Sequence, residues 1–449
     1  MTAPFKAYDV RGIYGTEVTE DLAYRLGRAY CDLIRPKKVI VGHDMRPSSE
    51  PLSEALIRGL TEGGADVTYI GLASTDMMYF AVIHQDADGG VVITASHNPA
   101  KYNGFKFVRQ KAIPMGIESG LAAIEERVWV GVFKKPGRIG QVRKEDVLKD
   151  FIAFMRGFVD PSRLAPMKVV IDTCNGMGGM IVPGIFKGSL VRIIPLFFEL
   201  DGTFPNHEAN PLLPENRRDL VRTVLEEKAD LGIGLDGDTD RAFFVDEKGD
   251  YCSADFILGL LAQTVLQNHP GAKIVYDVRC SDYVRDTVKK FGGTAHMGKV
   301  GHAYAKNFMR EIGAEFGGEV SGHYYFKYKG AYFDSGNLTA LLLLKVLSDR
   351  GETLSRALAE TENYHISGEI NSTVPDPDAV MKRIRERYKD KGRMVTIDGI
   401  SIIGDTWWFN VRQSNTEPLV RLNCEARNRV EMESLRDEIL SVIRQFRLK

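Results

Sequence analysis

The chain has 449 residues, enough for about three or four domains, and its 44% hydrophobic and 27% charged content is that of an ordinary soluble globular protein. Its 59 basic and 60 acidic side chains leave a net charge of −1, which argues against a broadly electrostatic nucleic-acid or membrane binder and leaves any phosphate binding to local clusters. Five scattered cysteines without a C-x-x-C pair read as reduced thiols. No apolar signal region follows Met1, and the longest apolar runs, such as Leu338 to Leu347 with Lys345 inside it, are too short to span a bilayer. A cytoplasmic protein with no membrane or nucleic-acid partner is the expectation.

In chain order, a first α/β unit is expected over residues 1–145. It begins at Tyr8-Asp9-Val10-Arg11-Gly12 and continues with an amphipathic helix, Asp21 to Ile34. A buried strand ends in Gly42-His43-Asp44, and a second helix follows over Ser48 to Gly63 with Ser48 as its N-cap. Gly89-Gly90-Val91-Val92-Ile93 reads as another buried strand. Ser96, in Thr94-Ala95-Ser96-His97-Asn98-Pro99, then lies at its carboxyl end, the edge where open α/β sheets hold ligands. Ser and Asn are also ordinary turn formers, so this loop taken alone reads first as a polar turn. The Gly-, Lys- and Pro-containing segment Gly131 to Gln141 reads as a linker.

A second unit, residues 146–249, opens with a helix over Val147 to Phe158. It holds the strand Val169-Val170-Ile171-Asp172 and a glycine-rich turn through Gly179. That turn lacks both the Walker lysine and dinucleotide-fingerprint spacing, so it reads as close helix–strand packing. Asp236, Asp238 and Asp240 alternate in Gly234-Leu235-Asp236-Gly237-Asp238-Thr239-Asp240-Arg241, between the apolar runs Leu231 to Ile233 and Ala242 to Val245. Three carboxylates gathered by one turn repel one another unless a cation joins them. The spacing is like the start of an EF-hand, but Phe243 to Val245 is strand-like and the central Gly is missing. Hard oxygen ligands on a tight strand-to-strand loop suit Mg²⁺ instead.

A third unit, residues 250–361, contains the helix Ala254 to Asn268, the strand Ile274-Val275-Tyr276-Asp277, the loop Gly318-Glu319-Val320-Ser321-Gly322-His323 and the helix Gly336 to Arg350. Strands ending in Asp thus recur at intervals of about 105 to 130 residues, which suggests three similar α/β domains. Such strands are common in any α/β protein, and the pattern alone leaves this open. Residues 362–449 change character: a charged helix after Pro375-Asp376-Pro377, strands at Met394 to Ile397, Trp407 to Val411 and Leu419 to Ala426, and a last helix over Val430 to Phe446. Gly399 to Gly404 reads as part of a hinge.

Four loops, at Ser96, at Asp236 to Arg241, at Glu319 to His323 and at Arg412-Gln413-Ser414-Asn415-Thr416-Glu417-Pro418, come in an order that resembles the α-D-phosphohexomutase superfamily, in particular its phosphomannomutase/phosphoglucomutase group. The resemblance covers nearly the whole chain. It implies an α/β fold of three topologically similar mixed domains plus a C-terminal α+β domain around a central cleft. It also implies reversible phosphoryl transfer between the 1- and 6-positions of a mannose or glucose phosphate, through phosphoserine 96 and a hexose 1,6-bisphosphate that doubles as activator.

Carried over residue by residue, Asp236, Asp238 and Asp240 would hold Mg²⁺ together with Ser96. Ser96, Lys106, Arg11 and His302 would be catalytic. Among these, Lys106 is expected to have a lowered pKa and to accept a proton, and Arg11 to stabilise charge. His302 is expected to handle a proton or touch the sugar. Substrate contacts fall to Tyr8, Arg241, Arg279, Glu319, Ser321 and His323, and a phosphate grip to Arg412, Ser414, Asn415, Thr416 and Arg421. If Glu319 and Ser321 read the 3- and 4-hydroxyls, the 2-position, where mannose and glucose differ, goes unread. Asp44 and Arg46 are supports for the Ser96 loop. Phosphoglucosamine mutase is the rival within the superfamily, usually with Gln where Val320 stands and Gly where Asn415 stands. A non-catalytic phosphosugar-binding protein on the same fold is the rival outside it, opposed by the intact Ser96 and acidic trio. The partners are small hexose phosphates, and the choice between monomer and homodimer stays open.

Overall fold

A computed structural model describes residues 4–414 and 419–446. Its contacts divide the chain into two compact units. The first comprises Met1–Ser253, Met309–Glu311 and Ser321–Ser355; the second comprises Ala254–Phe308, Ile312–Val320 and Arg356–Lys449.

The first unit contains two sheets. In the first, Lys38–His43 lies between Asp66–Leu72 and Gly89–Ile93, parallel to both, and Tyr102–Arg109 runs antiparallel between Gly89–Ile93 and Val10–Ile13. Every residue of Gly89–Ile93 is buried, which is why the strand reads as an unbroken apolar run rather than an alternating one. Helices Glu20–Ile34 and Ser49–Glu62 bury Leu22, Leu26, Leu52, Leu56 and Leu60 against Val39, Val41, Val91 and Phe107. Thr19 caps the first of these helices by accepting from Leu22 N–H at 3.2 Å. Ser48 does not cap the second in the expected way. Its backbone is already helical and its side chain makes no cap bond, its hydroxyl accepting instead from Asn103 Nδ2 at 2.7 Å.

In the second sheet Leu231–Leu235 pairs parallel with Met167–Asp172 and antiparallel with Ala242–Asp246. The acidic loop is the turn between Leu231–Leu235 and Ala242–Asp246, at the carboxyl end of a fully buried strand. The hairpin Tyr324–Tyr328 with Ala331–Asp334 and the helix Gly336–Arg350 complete this unit.

In the second unit Lys273–Asp277 pairs parallel with Thr294–Gly298 and Phe316–Gly318. A separate antiparallel sheet has the order His365–Ile366, Leu419–Ala426, Trp407–Gln413, Ile400–Ile403, Arg393–Val395, with Ile370–Thr373 also on Leu419–Ala426. Helices Pro377–Tyr388 and Arg429–Arg444 join its core through Val380, Ile384, Ile439 and Ile443. The hinge expected at Gly399 to Gly404 is an inner strand of this sheet. Gly399 has φ +71, and a Cβ there would meet Val411 O at 2.4 Å, so close packing explains the glycine. All five cysteines are buried free thiols. Among the described residues no helix is long and apolar enough to cross a membrane.

Candidate active site

Ser96 follows the strand Gly89–Ile93 with φ +51, a left-handed conformation that is costly for a residue with a Cβ, by about 1–3 kcal/mol. The buried Arg46 guanidinium holds the loop in that shape. It donates to the carbonyls of Ser96 (3.0 Å), Asn98 (2.6 Å), Pro99 (2.9 Å) and Tyr102 (3.0 Å), and Asp44 Oδ2 anchors its Nε at 3.2 Å. Both residues therefore support the loop as the sequence suggested. Arg11, which also pairs with Asp9, donates to Asn98 Oδ1 at 2.7 Å and so braces the loop from the neighbouring strand.

The acidic loop meets Ser96 directly. Ser96 Oγ donates to Asp236 Oδ2 at 2.9 Å. Gly237 makes the approach possible, since a Cβ there would lie 2.7 Å from Ser96 O. The glycine-rich turn after Asp172 serves as packing here: Met177 N–H donates to Gly237 O at 2.9 Å, and Asp172 and His207 close the turn with a 2.9 Å contact. Arg241 lies across both loops, its Nη2 3.2 Å from Ser96 Oγ and 2.7 Å from Asp236 Oδ2. It also bonds His97, whose imidazole burial and the surrounding cations Arg241, Arg11 and Lys106 keep neutral, far below its ordinary value.

Lys106 reaches the same loop from the strand Tyr102–Arg109, 2.6 Å from Asp238 and 2.5 Å from Asp240. The expected lowering of its pKa is not found. Burial alone would depress it, but the two carboxylates overcome burial and hold the ammonium's proton well above the usual lysine range. Asp236 goes the other way: burial, assisted by Asp240 and Asp238 and opposed by Arg241, pushes it up to about 7. Asp240 stays below its ordinary value in spite of burial, because Lys106 and His323 face it. His323 lies 2.8 Å from Asp334 and 3.9 Å from Asp240, and these acids outweigh burial and raise its pKa.

Each aspartate of the trio offers one carboxylate oxygen, all within 4.8 Å of one another and buried. Asp238 Oδ1 and Asp240 Oδ1 have no hydrogen-bond partner. Converging, desolvated, hard oxygen donors of this kind fit a divalent cation of the Mg²⁺ type. Thr75 fixes their geometry by donating to Asp238 Oδ2 at 2.5 Å. Asp76, fully buried, accepts from Thr239 (3.2 Å), Ser335 (2.6 Å) and Asn337 (3.0 Å).

The first unit thus gathers Ser96, Lys106, Arg11, Arg241, His323 and the three aspartates, with Tyr8 in the bend before Val10–Ile13 and Ser321 half-buried before His323. Sequence reasoning missed His97, Thr75, Asp76 and Asp334 as parts of this cluster. His97 stood inside the Ser96 motif, but the others carried no local signal.

A second, cationic cluster lies in the second unit. Arg279 bonds Asp277 (2.8 Å) and lies 3.6 Å from Glu319, which accepts from Gly301 N–H at 3.0 Å. Arg279, Arg412 and Arg421 converge on Glu369, at 3.5, 2.8 and 3.1 Å. Ser414 N–H donates to Leu419 O at 2.9 Å, and His302 opens the helix His302–Ile312. Asn415 and Thr416 lie outside the described residues.

The domain families described as phosphoglucomutase/phosphomannomutase alpha/beta/alpha domains I, II and III match residues 2–133, 149–249 and 253–364, and the corresponding C-terminal domain matches 369–442. The chain is 42% identical over 451 residues to a phosphomannomutase of Escherichia coli, covering 98% of this chain and 99% of that one. It is 40% identical to the phosphohexose mutases of Xanthomonas campestris, over 99% of this chain and 100% of theirs. A crystal structure of a phosphoglucomutase/phosphomannomutase family protein from Burkholderia thailandensis superposes with a TM-score of 0.90 at 32% identity, covering 98% of this chain and 97% of that one. The expected architecture of three α/β domains and a C-terminal domain is the one these matches and the sheets describe.

Proposed function

The chain belongs to the phosphoglucomutase/phosphomannomutase family and is a phosphohexomutase, and from that premise we propose that it moves a phosphoryl group between the 1- and 6-positions of mannose or glucose phosphate. Phosphorylated Ser96 gives its phosphoryl group to the free hydroxyl of a hexose monophosphate. The Oγ–P bond breaks as the sugar O–P bond forms, and the product is a hexose 1,6-bisphosphate. After this intermediate turns over, Ser96 Oγ takes the phosphoryl group at the other end and releases the isomer. The single observation that carries this reading is the 2.9 Å contact between Ser96 Oγ and Asp236 within reach of Arg241.

Asp236, Asp238 and Asp240 would hold Mg²⁺, which when bound offsets the charge on the phosphoryl oxygens. Arg241 places a guanidinium beside Ser96 Oγ, where a loose phosphoryl transition state carries charge on its equatorial oxygens. Lys106, kept protonated, adds fixed positive charge. The proton of the attacking hydroxyl is not taken by Lys106, because a lysine held between two carboxylates is no base. Arg11 steadies the loop and the local charge. Glu319 and Ser321 read the sugar hydroxyls, with Tyr8 and His302 as further contacts, and Arg412, Ser414, Asn415, Thr416 and Arg421, with Arg279, grip the non-reacting phosphate. Val320 and Asn415 favour mannose or glucose over glucosamine phosphate, and the buried free thiols suit a reducing cytoplasm.

Intact-mass spectrometry tests the scheme. The purified protein should carry a phosphoform heavier by about 80 Da that disappears on incubation with excess hexose monophosphate. Ser96→Ala should lack it and lack turnover while keeping its circular dichroism. Full activity of that variant with hexose 1,6-bisphosphate present would refute the assignment.

A further inference from the structure

Glu369 is not among the residues to which a role has been given, yet it is the anion on which the phosphate-grip cations converge. It sits just before the strand Ile370–Thr373, next to Gly368, which has φ +67 and open space around it. Arg412 Nη2 approaches Glu369 Oε2 at 2.8 Å, Arg421 Nη1 approaches Oε1 at 3.1 Å, and Arg279 Nη1 lies 3.5 Å from Oε2. Arg279 is already paired with Asp277 and lies near Glu319, so the mismatch is at the Arg412–Arg421 fork, where Glu369 brings one charge and two oxygens to two guanidinium groups. Buried Arg412 Nε and Arg421 Nε still have no hydrogen-bond partner. A phosphate monoester dianion brings twice the charge and one more terminal oxygen to the same forks.

We propose that Glu369 is a tethered competitor for the phosphate seat, occupying the Arg412–Arg421 fork when no phosphosugar is bound and leaving it when one enters. The inference rests on the phosphate-grip reading given above and adds a regulation to it. Its physical sense lies in the chemistry. A bisphosphate that must present first one end and then the other to Ser96 cannot be held by a grip that never lets go. An internal carboxylate that steps back in keeps the arginines paired while the phosphate leaves, so release does not strand buried charges. Burial would raise the Glu369 carboxyl, but Arg279, Arg412 and Arg421 hold it below its ordinary value, so it stays an anion in the neutral range and competes there.

The alternative, that Glu369 merely orients the arginines, predicts the opposite sign. Inorganic phosphate is titrated calorimetrically, without divalent metal, into the full-length wild type, Glu369→Gln, Glu369→Ala and Arg412→Ala. A tethered competitor predicts that both Glu369 variants bind phosphate about tenfold more tightly, with kcat lowered more than kcat/KM because release slows. Binding that is unchanged or weaker in Glu369→Gln and Glu369→Ala, or absent from them, overturns it. Arg412→Ala separates the two readings. If it loses phosphate binding while the Glu369 variants gain nothing, only the competitor falls. If it binds phosphate as the wild type does, the grip assignment falls and the competitor with it.

Discussion

Glu425 lies on the strand Leu419–Ala426 and is 2% exposed. Its Oε1 accepts from Asp282 N–H at 3.2 Å, and its Oε2 is buried without a hydrogen-bond partner. Burial first, then the neighbouring Asp282 and Asp255 against a favourable Ser281 bond, push its carboxyl from the ordinary 4.5 up to about 8. Below pH 4.5 the group is protonated in folded and unfolded chains alike. Between 4.5 and about 8 the unfolded chain has released a proton that the folded one keeps, so the stability this group contributes falls as pH rises and is fully lost above about 8. At ~1.4 kcal/mol per pKa unit, that span corresponds to at most about 5 kcal/mol. Glu425→Gln keeps the shape and removes the titration. Thermal melts of wild type and variant every half pH unit from 5 to 9 should show the variant gaining on the wild type through this window, by about 5 °C or more at the top. Parallel curves, or a variant less stable throughout, would mean that Glu425 does not titrate in this window.

Arg241→Lys keeps a charge but cannot bond Asp236 and Ser96 Oγ together as the guanidinium does. Steady-state assays should find kcat lower by about 10²-fold or more, at near-native melting temperature. Asp238→Asn removes one charged donor from the acidic trio and a partner from Lys106. Calorimetric titration with Mn²⁺ should show affinity reduced at least tenfold, and wild-type affinity would mean the cation is held elsewhere.

Local chemistry made much of this protein readable from residue order. Gly89 to Ile93 and Leu231 to Leu235 are unbroken small and apolar runs because their strands are buried on both faces, and the loops that follow them lie at strand ends for the same reason. Where a reading went astray, a long-range contact had overridden the local preference. Ser48 looked like a cap until Asn103 claimed its hydroxyl, and Gly399 looked like a hinge until the neighbouring strand closed over it.

Residue order alone carries the inventory: a hydroxyl at a strand end, three acids on one turn, arginines on another, and the sequence in which they come. Their protonation and pairing are set by the folded chain. Lys106 was expected to shed its proton easily, yet the carboxylates of Asp238 and Asp240, more than 130 positions away in the chain, bind that proton more firmly. Asp76, Asp334 and Glu369 carried no motif, because a carboxylate's role there depends on which distant donors and cations surround it. Electrostatic energy depends on distance and burial, and neither is written in the spacing of residues along a chain.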